Sequence, residues 1–161
     1  MKAIRIFTVV LFLIINGSLH AQDIDMPKPI WYAIQSDDST KLRLLVTKDN
    51  INTCYHAEQM NFTMLLLTTH YNAIKCAGML TDRGADVNKI CDGNLPPLLM
   101  AAQYGHLDMV KILVEHRANV KYVYKGDDDT NPGETALSYA EKGGHKDVAD
   151  YLRSIKQEGP K

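Results

Sequence analysis

The three thiols and six imidazoles of this 161-residue chain are the groups most readily turned to catalysis or metal binding. Cys54, Cys76 and Cys91 never form a Cys-x-x-Cys pair, so neither a dithiol redox centre nor zinc-type spacing is written here. An odd number of cysteines leaves at least one thiol free or paired with another chain. The histidines are dispersed, and there is no Gly-x-Ser-x-Gly elbow, His-Glu-x-x-His pair or phosphate-cradling glycine loop. Asp127, Asp128 and Asp129 place three carboxylates together but lack the alternating ligands and glycine of a calcium loop. A solvated acidic loop, or a patch for a basic partner, is expected there. Asn61-Phe62-Thr63 is formally a glycosylation sequon, which matters only in a eukaryotic secretory route. With no nucleophile, base and orienting group brought together, the chain is expected not to be an enzyme and to carry no cofactor or metal.

The N-terminus has its own logic. Lys2 and Arg5 precede the apolar run Ile6 to Ile15, and a small, polar exit ends at Ala21. This order predicts a secretory signal peptide over residues 1–21, with a run too short to span a bilayer as a helix. The alternative is an uncleaved N-terminal anchor. No lipobox cysteine follows, and the short leader points to a bacterial source. The remaining 140 residues suit a single domain, 22–161. Without Lys2 and Arg5 there are 16 basic against 19 acidic residues, a formal charge of −3. A nucleic-acid binder would show a basic patch or stripe instead. No later segment is apolar enough to enter a membrane. An exported chain, periplasmic or secreted, meets an oxidising compartment in which disulfides persist.

The elements that must position any site are repetitive. The stretch from Thr68 to Val87 returns, in spacing, from Ala101 to Val120 and again, truncated, from Ala140. Each copy reads as helix, tight break, helix and small-residue exit. Thr63 and Thr135 suit helix entry, because a hydroxyl caps free backbone N–H groups. Pro97 sits early in its helix, where a missing N–H costs little. Ala101 and Ala102 let neighbouring helices approach. Gly105 and Gly144 end the first helix where a left-handed residue is needed, and Asn72 fills that place one copy earlier. The second helices carry one apolar stripe each: Cys76, Ala77, Met79 and Leu80; then Met109, Val110, Ile112, Leu113 and Val114; then Val148, Ala149, Tyr151 and Leu152. Gly84 stops the second helix, and Arg117 holds its place one copy later. A weaker copy spans Pro29 to Asn52, where Ala33, Leu42, Leu44, Leu45 and Val46 keep the register and Asp49 stands for the helix-ending glycine.

These residues resemble the ankyrin repeat, whose TPLH, AA, GH and GADVN pattern is met best by Pro96 to Val120 and by Thr63 to Asn88. The resemblance implies an all-α solenoid of about four helix-turn-helix repeats with short hairpin fingers, over residues 28–60, 61–93, 94–132 and 133–157. One such helix pair cannot bury its own apolar face, so stacked copies must cover one another and the ends must be atypical. The polar first copy, and Asp150 with Arg153 in the last, read as caps. Two insertions, Thr53 to Met60 and Val123 to Glu134, lengthen the fingers on the edge where repeat proteins bind.

The resemblance also assigns roles. His106 and His145 occupy the family's structural histidine position, and Cys76 stands at a valine position as an inert small hydrophobe. Tyr71 and Tyr104 share the slot at the end of the first helix that faces the concave groove, preceded by His70 and Gln103. Phe62 and Leu95 match just before that helix. Tyr55, Tyr122 and Tyr124 lie in the fingers. Tyrosine is favoured at binding hot spots, burying much area while keeping a polar tip; the bland alternative is that these rings cover neighbouring helices. Cys54 and Cys91 hold nearly matching places in adjacent fingers. Equivalent points in stacked repeats lie about 10 Å apart, whereas a disulfide needs Cα atoms within about 7 Å. The longer first finger could close that gap, or both thiols could stay free. The expectation is therefore a monomeric, non-catalytic module that binds another protein through its concave face and fingers. It would act as an inhibitor or immunity protein, or as an assembly or stress-protection factor. The rival is an exported ligand or metal binder with a redox-active cysteine.

Overall fold

The computed structural model describes residues 25–57, 60–91, 94–124 and 133–158. The leader, the Asp127–Asp129 run and most of the third finger's insertion lie outside them. Four helix pairs follow one another: α1 (Lys28–Gln35) with α2 (Ser39–Leu45), α3 (Met64–Tyr71) with α4 (Ile74–Asp82), α5 (Pro97–Tyr104) with α6 (Leu107–Glu115), and α7 (Ala136–Gly143) with α8 (Lys146–Glu158). The first helices pack in sequence, α1 on α3, α3 on α5 and α5 on α7. The second helices form a parallel layer, α2 on α4, α4 on α6 and α6 on α8. A continuous apolar core runs between the layers, with Leu42, Leu80, Leu98, Leu99, Met109 and Leu113 fully buried.

The local signals in the sequence act as their chemistry predicts. Thr63 accepts a hydrogen bond from the Leu66 N–H, 3.1 Å, and Thr135 and Ser138 cap each other reciprocally. Asn72, Gly105 and Gly144 take left-handed conformations with φ of 52°, 71° and 73°. In the first repeat Asp37 does the same, φ 51°. Gly84 and Arg117 share the left-handed stop after the second helix, φ 90° and 69°.

Two expectations for the first repeat are corrected. Asp49 is not a left-handed stop. Helix α2 ends early, at Leu45, because the Asn50 side-chain amide donates to the Leu45 carbonyl, 2.9 Å, and exchanges hydrogen bonds with Thr47. Leu44 is not part of the buried stripe; it is 82% exposed. Its counterpart Met79 is covered by the repeat before it, and the first repeat has no such neighbour among the described residues.

The first insertion folds as an antiparallel hairpin, β1 (Tyr55–Ala57) with β2 (Met60–Phe62). Asp25 ties it to the first helix pair: its N–H donates to the His56 carbonyl, 3.1 Å, and its carboxylate accepts from the His56 N–H, 2.6 Å. Among the described residues, the third finger closes on a bridge between Tyr124 and Glu134.

Candidate functional site

The junctions between repeats hold most of the polar chemistry. His106 Nδ1 lies 3.1 Å from the Thr69 carbonyl, and His145 Nε2 lies 3.0 Å from the Gln103 carbonyl. Each ring thus spans from its own helix break to the first helix of the repeat before it. The first junction has no histidine in that slot. There the Asp37 carboxylate accepts from the N–H groups of Lys75 and Cys76, 3.2 and 2.9 Å, capping α4 from the neighbouring repeat. In the fingers, Asn52 accepts from the Asp86 N–H, 2.8 Å, and Asn88 accepts from the Asn119 N–H, 2.7 Å. This asparagine ladder was not foreseen, although the recurrence of Asn52 and Asn88 in matching exits carried the signal.

Cys54 and Cys91 form a disulfide with Cα atoms 5.9 Å apart, joining the first two fingers. Of the two possibilities left open above, the longer first finger brings the pair within bonding range. Cys76 is free and fully buried, its thiol 3.6 Å from the Ala33 carbonyl. Burial, reinforced by Asp37, pushes its pKa up to about 12, so it carries no thiolate near neutrality.

The residues proposed for contact separate into two groups. Tyr55, Phe62 and Leu95 are core residues, 6%, 6% and 8% exposed, and form the packed floor of the fingers rather than an outer surface. The physical reason is the hairpin pairing: Tyr55 and Phe62 are directly opposite one another and turn to the same, inward side. Tyr71, Tyr104, His70, Gln103, Tyr122 and Tyr124 are half-buried. Five rings among them and their neighbours form a connected row. Trp31 meets Tyr71 edge-on at 5.7 Å between centroids, His70 lies 4.9 Å from Tyr71 and 6.0 Å from Tyr104, and Tyr104 lies 5.6 Å from His106. Trp31 was missed, although it is the chain's one tryptophan.

This row is electrically neutral at physiological pH. Burial lowers the His70 pKa to about 4, with His106 adding repulsion, and burial lowers that of His106 as well. Burial raises the phenols of Tyr71 and Tyr104 to about 12. Neither His70 nor the two phenols is poised for proton transfer near neutrality. Three of their polar atoms are buried with no hydrogen-bond partner among the described residues: His70 Nδ1, Tyr71 Oη and Gln103 Oε1. A buried polar atom left with no partner at all costs about 1–3 kcal/mol. Packing alone would favour apolar residues in these slots. The described residues hold no group of three or more His, Cys, Asp or Glu side chains fit to bind a metal, and no helix long and apolar enough to cross a membrane.

Residues 88–159 match the family of ankyrin repeats, three copies. Among curated proteins, the chain is similar to the ankyrin repeat protein FPV022 of Fowlpox virus (strain NVSL). The two are 32% identical over 128 residues, covering 80% of this chain and 20% of that protein. It is also similar to the E3 ubiquitin-protein ligase XBAT33 of Arabidopsis thaliana, 31% identical over 133 residues, covering 77% of this chain and 24% of the ligase. A shorter match, 33% over 60 residues, joins it to the ankyrin repeat protein nuc-2 of Neurospora crassa, 37% of this chain and 6% of that protein. The chain therefore spans a quarter or less of the length of these relatives, which are viral, plant and fungal.

Proposed function

We propose that this chain, whose fold is an all-α ankyrin-repeat solenoid, is a non-catalytic module that captures another protein through its concave face and fingers. Ankyrin repeats generally mediate protein–protein contacts, and the particular surface is our own assignment. The observation that carries it is the row at His70, Tyr71, Gln103 and Tyr104: one slot pair repeated in adjacent repeats, aromatic, neutral, and left with orphaned polar atoms. A scaffold selected only for packing gains nothing from them. Tyr122 and Tyr124 extend the surface into the third finger. The Asp127–Asp129 run beyond them favours a basic region on the partner.

We place its action outside the cytoplasm, in a bacterial envelope or medium. The leader pattern over residues 1–21 and the Cys54–Cys91 disulfide both favour that reading. There it serves as an inhibitor or immunity protein, or as an assembly or stress-protection factor. The redox alternative finds less support, since two cysteines are bonded and the third is buried with a raised pKa.

The test is capture of partners from the native envelope fraction, identified by mass spectrometry and followed by titration of the purified partner. Tyr71→Ala with Tyr104→Ala is expected to weaken binding at least about tenfold, or about 1.4 kcal/mol. Tyr71→Phe with Tyr104→Phe retains the packing against Trp31 and His70 and controls for a folding defect. Unchanged affinity in the alanine pair, with circular dichroism intact, would move the binding face elsewhere. A one-to-one complex that silences an enzyme would select the inhibitor role.

A further inference from the structure

The residue just before the left-handed break of each helix pair forms one column across the stack: Ser36, Tyr71, Tyr104 and Gly143. Rings fill this column only in the two central repeats. Ser36 and Gly143 are small and exposed, and they stand where further rings would continue the row. Trp31, which abuts Tyr71, is itself buried. The aromatic surface is therefore bounded on both sides. Equivalent points in stacked repeats lie about 10 Å apart, so two repeats present a strip about 20 Å long. About six residues of extended chain cover that length.

The strip is also uncharged. Lys, Arg, Asp and Glu make up 23% of the chain, yet none of them acts on the row. Burial alone displaces the Tyr71 and Tyr104 phenols, and burial with the nearby His106 displaces His70. Among the described residues no ion pair includes a ring of the row. Lys142, just before Gly143, is already paired with Glu134. A ring face attracts a cation, but a cation covered here would lose its water with no carboxylate to meet it. An apolar or aromatic side chain gains contact area against the same rings without that cost.

We propose that the row takes a short, uncharged loop tip of the partner protein, with an apolar or aromatic side chain at its apex against Tyr71 and Tyr104. This rests on the reading of the row as the binding face and adds the chemistry of what it holds. The basic region favoured by the Asp127–Asp129 run then flanks the tip rather than forming it.

The probe is a phage-displayed library of disulfide-closed random loops of about six residues. The library is selected on the intact, oxidised protein and counter-selected on Tyr71→Ala with Tyr104→Ala. Loops that depend on the two tyrosines are expected to be poor in Lys, Arg, Asp and Glu and rich in apolar and aromatic residues. The leading loop, made as a synthetic peptide and titrated by calorimetry, should bind Gln103→Glu at least about tenfold more weakly than the parent, because that near-isosteric change sets a charge on the strip. Tyrosine-dependent loops rich in charge would overturn the proposal and leave the binding face standing. Loops indifferent to the alanine pair would overturn both. An absence of enrichment, or a folded Gln103→Glu that binds as tightly as the parent, overturns the short neutral tip.

Discussion

Removing the bond between Cys54 and Cys91 is expected to cost this fold a large share of its stability. The bond closes a loop across a sequence separation of 37, and the closed loop contains both helices of the second repeat. Loop-closure entropy for that length amounts to about 13 cal/mol/K, or about 4 kcal/mol at room temperature. The benefit arises in the unfolded ensemble, so the folded helices should look unchanged when the bond is cut. With a urea slope of about 2 kcal/mol/M, the midpoint should fall by about 2 M. The assay is urea unfolding followed by far-UV circular dichroism, on the parent chain and on Cys54→Ser with Cys91→Ser. A reductant should shift the parent by the same amount and leave the double variant unmoved. Cys76 is buried in the native core and present in both chains, so it cancels from the comparison. If the two midpoints coincide in oxidising buffer, the fingers are not cross-linked in solution. The support that the disulfide lends to an oxidising compartment would then be gone.

Two further outcomes follow from the helix breaks and the imidazoles. Gly105→Ala should cost about 2–3 kcal/mol, from a left-handed alanine and a lost hydrogen bond. Its Cβ would fall 2.4 Å from His145 Nδ1, forcing that ring off the Gln103 carbonyl. Gly144→Ala meets open space at φ 73° and should cost only about 1–2 kcal/mol; equal losses in thermal melts would refute the role given to His145. The second outcome is acid lability. His70 titrates near 4 in the folded chain against 6.5 unfolded, so between those values the unfolded chain binds the proton that the folded chain excludes. Stability is full above pH about 6.5 and falls as pH drops, by up to about 3 kcal/mol at pH 4. Chemical denaturation at pH 7 and pH 5 measures the slope, and a pH-independent midpoint would contradict the burial of His70.

The fold was legible wherever the requirement is local. Asn72, Gly105 and Gly144 announce left-handed helix ends because few other residues adopt that backbone without cost. Thr63 and Thr135 announce helix starts because a short hydroxyl reaches the free N–H groups. The apolar stripes of α4, α6 and α8 recur because each helix pair needs a neighbour to cover it. Asp49 misled for the same local reason. Its register matched Gly84, yet Asn50 one residue on carries an amide able to end α2 by a side-chain hydrogen bond instead.

Exposure was a different matter. Leu44 fits the apolar register of Met79, and Tyr55, Phe62 and Leu95 fit the finger positions of a contact surface. The structure exposes the first and buries the other three. Periodicity says which side chains point toward a neighbour; it does not say whether the neighbour exists or how a lengthened finger folds back. The candidate row shows both effects, since the repeat paired Tyr71 with Tyr104, whereas Trp31 and His106 joined them only through stacking.

By itself, the sequence determined the succession of helix pairs and where several helices start and stop, because capping, glycine geometry and a recurring apolar stripe act within a few residues of one another. Only the tertiary structure decided that Cys54 reaches Cys91, that the fingers bury three of the residues expected to make contacts, and that Tyr32 and Leu44 remain uncovered. Those outcomes depend on distances between segments far apart in the chain, and burial is a property of the neighbours a residue acquires rather than of the residue.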